Sequence, residues 1–229
     1  MQIVPQGSYA QQLFDNGAGA GTDSAVSAAI MRTINDLLPP ATNIPTGPDV
    51  DAVVVDHKPD TTKAIQDVQH LYNSQPAGSS SLVILGEMHT NHQDNQRALD
   101  FINAINNGTL NVDNVVFERG MNYPTPANGN IIRESNLTTA SGGNFGWGLS
   151  RKQRSMVVAG YLVLLHAGGN QQDINRDLLF YGELHMDIFT YYDYFARHTN
   201  AFYLLKEPRT FFGIRSYAKT AEPEMPAES

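Results

Sequence analysis

An apolar run that ends in Gly-Glu-x-His occurs twice in this chain, at residues 82–89 and again at residues 178–185. A glycine at the end of a buried strand lets the backbone turn sharply, so the polar residues that follow lie at the carboxyl edge of that strand. The repeat therefore predicts two buried strands, each of which delivers one glutamate and one histidine to a shared edge of a sheet.

The pattern from residue 81 onward predicts an α/β fold. Short apolar runs alternate with helical patterns, which is typical of βαβ units and of a mainly parallel sheet flanked by helices. The predicted strands are Leu82–Leu85, Asn114–Phe117, Leu178–Tyr181 and Ala201–Leu205, and the predicted helices are Asn91–Ile105, Ser150–His166 and His185–Arg197. We expect residues 81–229 to form one α/β domain of catalytic type.

Residues 1–80 differ in composition, being rich in Gly, Ala, Ser, Asn, Thr and Pro. Helical patterns at Asp23–Leu38 and Thr61–Tyr72 are separated by several prolines. We interpret this part as an accessory N-terminal segment, helical or partly flexible.

A polar stretch, Met121–Leu149, interrupts the α/β pattern. It contains two prolines and several glycines, and it is long for a connection inside a compact domain. Such loops are usually lids or disordered, so we expect either a lid that contacts substrate or a disordered loop.

Composition excludes several classes of function. The formal net charge of -8, with no Lys/Arg-rich block, argues against nucleic acid and against an anionic membrane surface as partner. The absence of cysteine excludes disulfides, thiolate metal sites and a cysteine nucleophile. The sequence contains no run of eighteen apolar residues, so it predicts no integral membrane segment, and no signal peptide is recognisable. We expect a soluble protein, either cytoplasmic or exported.

His89, His185 and Glu118 are the candidate metal ligands. Glu118 follows a third apolar strand, and two imidazoles with a carboxylate form the ligand set that zinc, manganese or iron uses in hydrolytic and oxygen-activating sites. In the alternative interpretation, Glu118 only pairs with Arg119 or Arg151 and stabilises a loop.

Glu87, Glu183 and Arg119 are the candidate catalytic residues. The two glutamates occupy the same position in the two motifs, so one is expected to be a ligand and the other a general base. Without a metal, a carboxylate and a histidine would still activate water. Arg119 would stabilise a developing oxyanion.

The remaining histidines are weaker candidates. His92 and Asp187 follow the two motif histidines and are either contacts to the site or exposed residues. We interpret the other four as structural: His57, His70, His166 and His198. The sequence has no Gly-x-Ser-x-Gly elbow and no glycine-rich phosphate loop, which argues against a serine hydrolase and a nucleotide-binding protein.

These motifs resemble those of the Tiki/TraB proteins together with the erythromycin-esterase and ChaN-like proteins. Members of that group carry two Gly-x-x-His motifs and a glutamate on a parallel sheet flanked by helices, and the matching features are Gly86–His89, Gly182–His185 and Glu118. The resemblance covers roughly residues 81–215. It implies a metal-dependent protease, an esterase that uses His and Glu, or a protein that binds haem iron.

The leading hypothesis is a hydrolase of ester or peptide bonds that acts on a small-molecule or peptide substrate, with a divalent metal as cofactor. The first alternative is a haem- or iron-binding protein without turnover. The tyrosines near the second motif are candidate haem ligands, namely Tyr181, Tyr191, Tyr192 and Tyr194. The second alternative is a secreted toxin or effector-like module, in which residues 1–80 serve delivery or docking.

Overall fold

A computed structural model describes residues 52–56, 60–139, 151–168, 174–198 and 209–217. The strands are β1 (Ala52–Val55), β2 (Ser80–Glu87), β3 (Asn114–Phe117), β4 (Asn130–Arg133), β5 (Asn175–Gly182) and β6 (Arg209–Ile214). The helices are α1 (Thr61–Asn73), α2 (His92–Asn106), α3 (Glu134–Thr139), α4 (Arg151–Gly168) and α5 (Ile188–His198), and a 3-10 helix covers Glu183–Asp187.

The described strands form one parallel sheet in the order β1-β6-β2-β5-β3-β4. The predicted α/β class with a mainly parallel sheet is therefore confirmed. Strands β2 and β5 are neighbours in register, with Glu87 opposite Gly182. Because the strands are parallel, the two Gly-Glu-x-His motifs leave the sheet at the same edge, as the repeat predicts.

Helices cover both faces of the sheet, which explains why the central strands are continuous apolar runs. Alternate residues of β2 enter two separate cores: Leu82 and Ile84 face α4 and α5, whereas Val83 and Leu85 face α1 and α2. A sheet that is buried on both faces needs apolar side chains in both directions, because successive side chains of a strand point to opposite faces.

Local capping explains where two helices begin. The Asp60 side chain accepts hydrogen bonds from the first turn of α1, and the Asn91 side chain accepts from Gln93 N and Asp94 N at the start of α2. These bonds satisfy backbone N–H groups that have no partner within the helix. The cap of α2 also ends the turn that carries His89.

Two parts of the chain contain strands of the sheet that the sequence did not predict. Strand β1 and helix α1 lie within residues 1–80 but belong to the sheet and its core. Strand β4 and helix α3 lie within the stretch expected to be a loop. The edge strands are short and half exposed, which leaves only a weak apolar pattern in the sequence.

Two sequence predictions fall outside the described residues. These are the helix at Asp23–Leu38 and the strand at Ala201–Leu205. Within the part of the chain that the structure describes, no helix is both long enough and apolar enough to cross a membrane.

Candidate functional site

Three predicted ligands meet at the carboxyl edge of the sheet. Glu118 follows β3, and its carboxylate lies between the two motif histidines: Oε1 is 3.2 Å from His185 Nε2, and Oε2 is 3.5 Å from His89 Nε2. The convergence follows from the strand order, because β5 lies between β2 and β3. The structure therefore brings His89, Glu118 and His185 together, as the sequence predicts.

Glu118 is held as an ionised carboxylate. Burial alone would raise its pKa, but the hydrogen bond and charge of His185, the Gly182 backbone N–H and the charge of His89 outweigh burial and lower the pKa to about 2. The Gly182 N–H donates to Oε2 at 2.6 Å, and Arg154 Nη1 donates to Oε1 at 3.1 Å. At neutral pH the site thus contains a fixed negative charge that is only 5% exposed.

Arg154 supplies a cation that the sequence analysis missed. Its Nη1 lies 3.1 Å from Oε1 of the buried Glu134, and its Nη2 lies 3.2 Å from His185 Nε2. One guanidinium therefore joins two carboxylates and an imidazole, which its planar set of donors allows. The available signal was the polar first turn of α4, where Arg151, Arg154 and Ser155 share one face at helical spacing.

Ser155 connects His185 to Asp187. Ser155 Oγ is 2.8 Å from His185 Nδ1 and donates to Asp187 Oδ1 at 2.7 Å. Arg151 Nη1 lies 3.0 Å from Asp187 Oδ2 and also donates to the Leu184 carbonyl. Asp187 thus contacts the site through a serine, whereas the sequence left it open between a site contact and an exposed residue.

Glu87 is buried beside this site and differs sharply from Glu118. Burial raises the pKa of Glu87 to about 8, against the hydrogen bond from Tyr123 and the charge of Arg97. Tyr123 Oη lies 2.8 Å from both Glu87 Oε2 and Asn95 Oδ1. A hydroxyl carries one hydrogen, so Tyr123 donates to only one of these two oxygens at a time.

Glu183 occupies the same motif position but has a different environment. Its carboxylate accepts the Ser216 backbone N–H at 3.0 Å and lies 3.9 Å from Arg215 Nη1, so it binds the segment that follows β6. Glu87 is the last residue of a strand, whereas Glu183 begins a 3-10 helix, and this difference turns the two side chains toward different neighbours.

Arg119 contacts the site through its backbone. Its N–H donates to Glu134 Oε2 at 3.2 Å, next to the oxygen that binds Arg154. The predicted role of the Arg119 guanidinium at an oxyanion stays a prediction.

The other histidines lie apart from the cluster or outside the description. His70 and His92 are exposed on helices. His166 is buried, with Nδ1 2.6 Å from Tyr192 Oη and Nε2 2.8 Å from Asp177 Oδ2, which fits the expected structural role. His57 and the side chain of His198 lie outside the described residues.

The tyrosines near the second motif pack in the core. Tyr181, Tyr191 and Tyr192 belong to the apolar cluster under α4 and α5, and Tyr194 packs against that cluster. Each of the first three is at most 3% exposed, which leaves no exposed hydroxyl on them for a haem iron. The haem alternative stays a prediction, but these three tyrosines are no longer candidate ligands for it.

The ligand set fits a metal ion by residue type and by pairwise spacing. Two distances of 3.2 and 3.5 Å between donor atoms suit neighbouring ligands on one ion with bonds of about 2.0–2.2 Å. However, the Arg154 guanidinium already contacts both Glu118 Oε1 and His185 Nε2. Among the described residues, no group of three His, Asp or Glu side chains forms a metal-binding cluster. As arranged here, the three residues do not fit one shared metal ion. The sequence-based expectation of a divalent metal stays a prediction.

Comparisons with protein-family models, with curated proteins and with solved structures found no match to this chain. The resemblance to the Tiki/TraB, erythromycin-esterase and ChaN-like proteins accordingly stays a prediction that depends on the motifs alone.

Proposed function

We propose that this chain is a hydrolase of ester or peptide bonds in which His89 acts as general base and the ionised Glu118 supports it. The observation that carries the proposal is the pairing of an exposed imidazole with a buried carboxylate. The His89 side chain is 53% exposed, and its Nε2 faces a carboxylate oxygen at 3.5 Å. A base must reach water or substrate, whereas the group that orients it must stay protected.

In the proposed reaction, His89 takes a proton from water while the water oxygen forms a bond to the carbonyl carbon of the substrate. The imidazolium that results is stabilised by Glu118, whose charge is present throughout the neutral range because its pKa is about 2. His89 then returns the proton to the alcohol or amine as the bond from carbon to that leaving group breaks. Water and substrate thus become an acid and an alcohol or amine.

Arg154 and Gly182 keep Glu118 in position for this step. The two oxygens of the carboxylate have separate partners, Arg154 on Oε1 and the Gly182 N–H on Oε2. A carboxylate that is held at both oxygens does not rotate away when His89 becomes charged, so little reorganisation is needed during the reaction.

Glu87 is not the base in this proposal. Its pKa of about 8 favours the protonated form at neutral pH, whereas Glu118 is ionised. Glu183 is not the base in the proposal either, because its carboxylate binds the segment after β6.

The test is hydrolysis of p-nitrophenyl butyrate and of fluorescently labelled casein by the full chain and by three variants. His89→Gln and Glu118→Gln should each lower kcat/KM by about 100-fold or more. His92→Gln is the matched control, because His92 is an exposed histidine three residues from His89, and it should keep full activity.

Metal content separates the two mechanisms that the sequence left open. Plasma mass spectrometry of the purified chain, and activity after dialysis against EDTA, should show a hydrolase that works without zinc, manganese or iron. Activity that is lost in EDTA and restored by one of these ions would contradict the His/Glu mechanism. No turnover of either substrate, or full activity in folded His89→Gln, would contradict the proposal itself.

A further inference from the structure

The hydrogen bonds around His185 determine which of its ring nitrogens carries a proton. Ser155 is completely buried, and its Oγ lies 2.8 Å from His185 Nδ1 and 2.7 Å from Asp187 Oδ1. A hydroxyl has a single hydrogen, and a carboxylate only accepts, so this hydrogen points to Asp187. The serine oxygen then accepts a hydrogen bond from Nδ1, which requires Nδ1–H.

Arg151 fixes the other side of this chain of hydrogen bonds. Its Nη1 lies 3.0 Å from Asp187 Oδ2, so one carboxylate oxygen is bound by an arginine and the second is left for Ser155. A charge-assisted bond to arginine orients the carboxylate.

We propose that Ser155 and Asp187 are positioning residues that hold His185 as the Nδ1–H tautomer, with Nε2 facing Glu118 and Arg154. The inference deepens the proposed function and rests on it for its effect on turnover. The tautomer itself follows from hydrogen-bond geometry and is measurable without any activity.

The consequence appears at Nε2. In the neutral ring, Nε2 presents a lone pair to the Arg154 Nη2 donor at 3.2 Å. When the ring is charged, Nε2–H donates to Glu118 Oε1 at 3.2 Å. Nε2 therefore faces both a donor and an acceptor, Arg154 Nη2 and Glu118 Oε1.

Asp187→Asn is the most informative variant because Arg151 dictates how the amide orients. The arginine donor favours the amide oxygen on its own side, which turns the NH₂ group toward Ser155. The serine oxygen then accepts from the amide, its hydrogen turns to His185 Nδ1, and the ring is driven to the Nε2–H tautomer. Ser155→Ala removes the hydrogen bond that selects the Nδ1–H tautomer, but it does not favour the Nε2–H tautomer.

The experiment is a long-range ¹H–¹⁵N correlation spectrum of the full chain with ¹⁵N-labelled histidine, with the His185 signals assigned from a His185→Gln variant. The wild type should show His185 protonated at Nδ1, Asp187→Asn should show the Nε2–H pattern, and Ser155→Ala should show a mixture. Asp100→Asn is the matched control, because that carboxylate accepts a hydrogen bond from Gln96 on α2, and it should leave the His185 signals unchanged.

Turnover gives the second readout. Asp187→Asn and Ser155→Ala should lower kcat by about 10- to 100-fold with KM unchanged, as expected for residues that orient a site histidine. A wild-type His185 in the Nε2–H form, or an unchanged tautomer in Asp187→Asn, would overturn the inference. The expected tautomers in a chain that hydrolyses neither substrate would refute the proposed function but leave the positioning of His185 standing.

Discussion

Glu118 Oε2 accepts the backbone N–H of Gly182 at 2.6 Å, so the carboxylate that follows β3 is bonded directly to the end of β5. This contact joins the third strand to the second motif and places the carboxylate between both histidines. It also gives the motif glycine a role beyond its freedom to turn, because any side chain at residue 182 would approach Glu118.

The two motif glycines should fail in different ways when changed to alanine. A Cβ at Gly86 would lie 2.8 Å from the Ile214 carbonyl oxygen, a backbone atom that yields only if the sheet shifts. A Cβ at Gly182 would lie 3.3 Å from Glu118 Oε2 and 3.7 Å from His89 Nε2, which are side-chain atoms of the site. We expect Gly86→Ala to cost about 1–3 kcal/mol of stability, and Gly182→Ala to lower activity with a smaller loss of stability.

Urea unfolding and ester hydrolysis of both alanine variants measure this difference, and each variant serves as the control for the other. Equal losses of stability, with activity unaffected in folded Gly182→Ala, would show that Glu118 is not sensitive to the space at residue 182.

Glu118 should stabilise the folded state when the pH is above the pKa that this carboxyl group has in the unfolded chain. This stabilisation should be smaller in acid. The ordinary value is 4.5, and the folded value is about 2, so the folded state favours the ionised form. The stabilisation is complete above about pH 4.5 and is lost as the pH falls toward 2. At pH 7 the wild type should exceed Glu118→Gln by roughly 3 kcal/mol. Urea midpoints of both proteins from pH 3 to 7 check this, and a difference that stays constant over that range would refute it.

Glu87 should have the opposite pH dependence. Its folded pKa of about 8 lies above the ordinary 4.5, so the folded state binds the proton more tightly than the unfolded chain. Its contribution is complete below about pH 4.5 and is lost as the pH rises toward 8. Glu87→Gln imitates the neutral acid, so its stability relative to the wild type should rise over this interval.

Thermal unfolding between pH 5 and 9 tests the Glu87 prediction. Glu183→Gln is the matched control, because it makes the same substitution at the same position of the second motif, where the carboxylate binds the Ser216 N–H instead. A rise of similar size in both variants would mean that the buried environment of Glu87 is not its cause.

Arg154 should contribute more stability than an exposed arginine in a similar ion pair. Removing it leaves Glu118 and Glu134, which are 5% and 0% exposed, without their shared cation. We expect Arg154→Ala to cost about 3 kcal/mol at pH 7, because buried charges are left uncompensated. Arg154→Lys should keep part of the stability but lose activity, since one ammonium group does not span both carboxylates and an imidazole.

Arg197→Ala is the control for this comparison. Arg197 pairs with Asp193 at 2.6 Å but is 58% exposed, so its loss should cost less than about 1 kcal/mol. Chemical unfolding of the three variants gives the answer. Equal costs for Arg154→Ala and Arg197→Ala would mean that burial does not strengthen the Arg154 ion pairs.

The central strands and the three converging residues could be predicted from the sequence. Strand β3 was predicted at its observed bounds, and the predicted parts of β2 and β5 lie inside the longer strands of the structure. These strands carry strong local signals, because burial on both faces demands unbroken apolar runs. Once the sheet is parallel, residues that follow such strands must meet at one edge, which is why His89, Glu118 and His185 were predictable.

The environment of each site residue was decided only by tertiary structure. The two glutamates are equivalent in the motif, yet Glu87 is buried against Tyr123 while Glu183 binds Ser216 beyond β6. Arg154 and Ser155 enter the site from α4 and contact Glu118 and His185, which lie 36 and 30 residues away in the chain. Apolar periodicity is local information, but ion pairs and burial depend on which strands become neighbours and which helix covers them, and no short pattern in the sequence encodes that order.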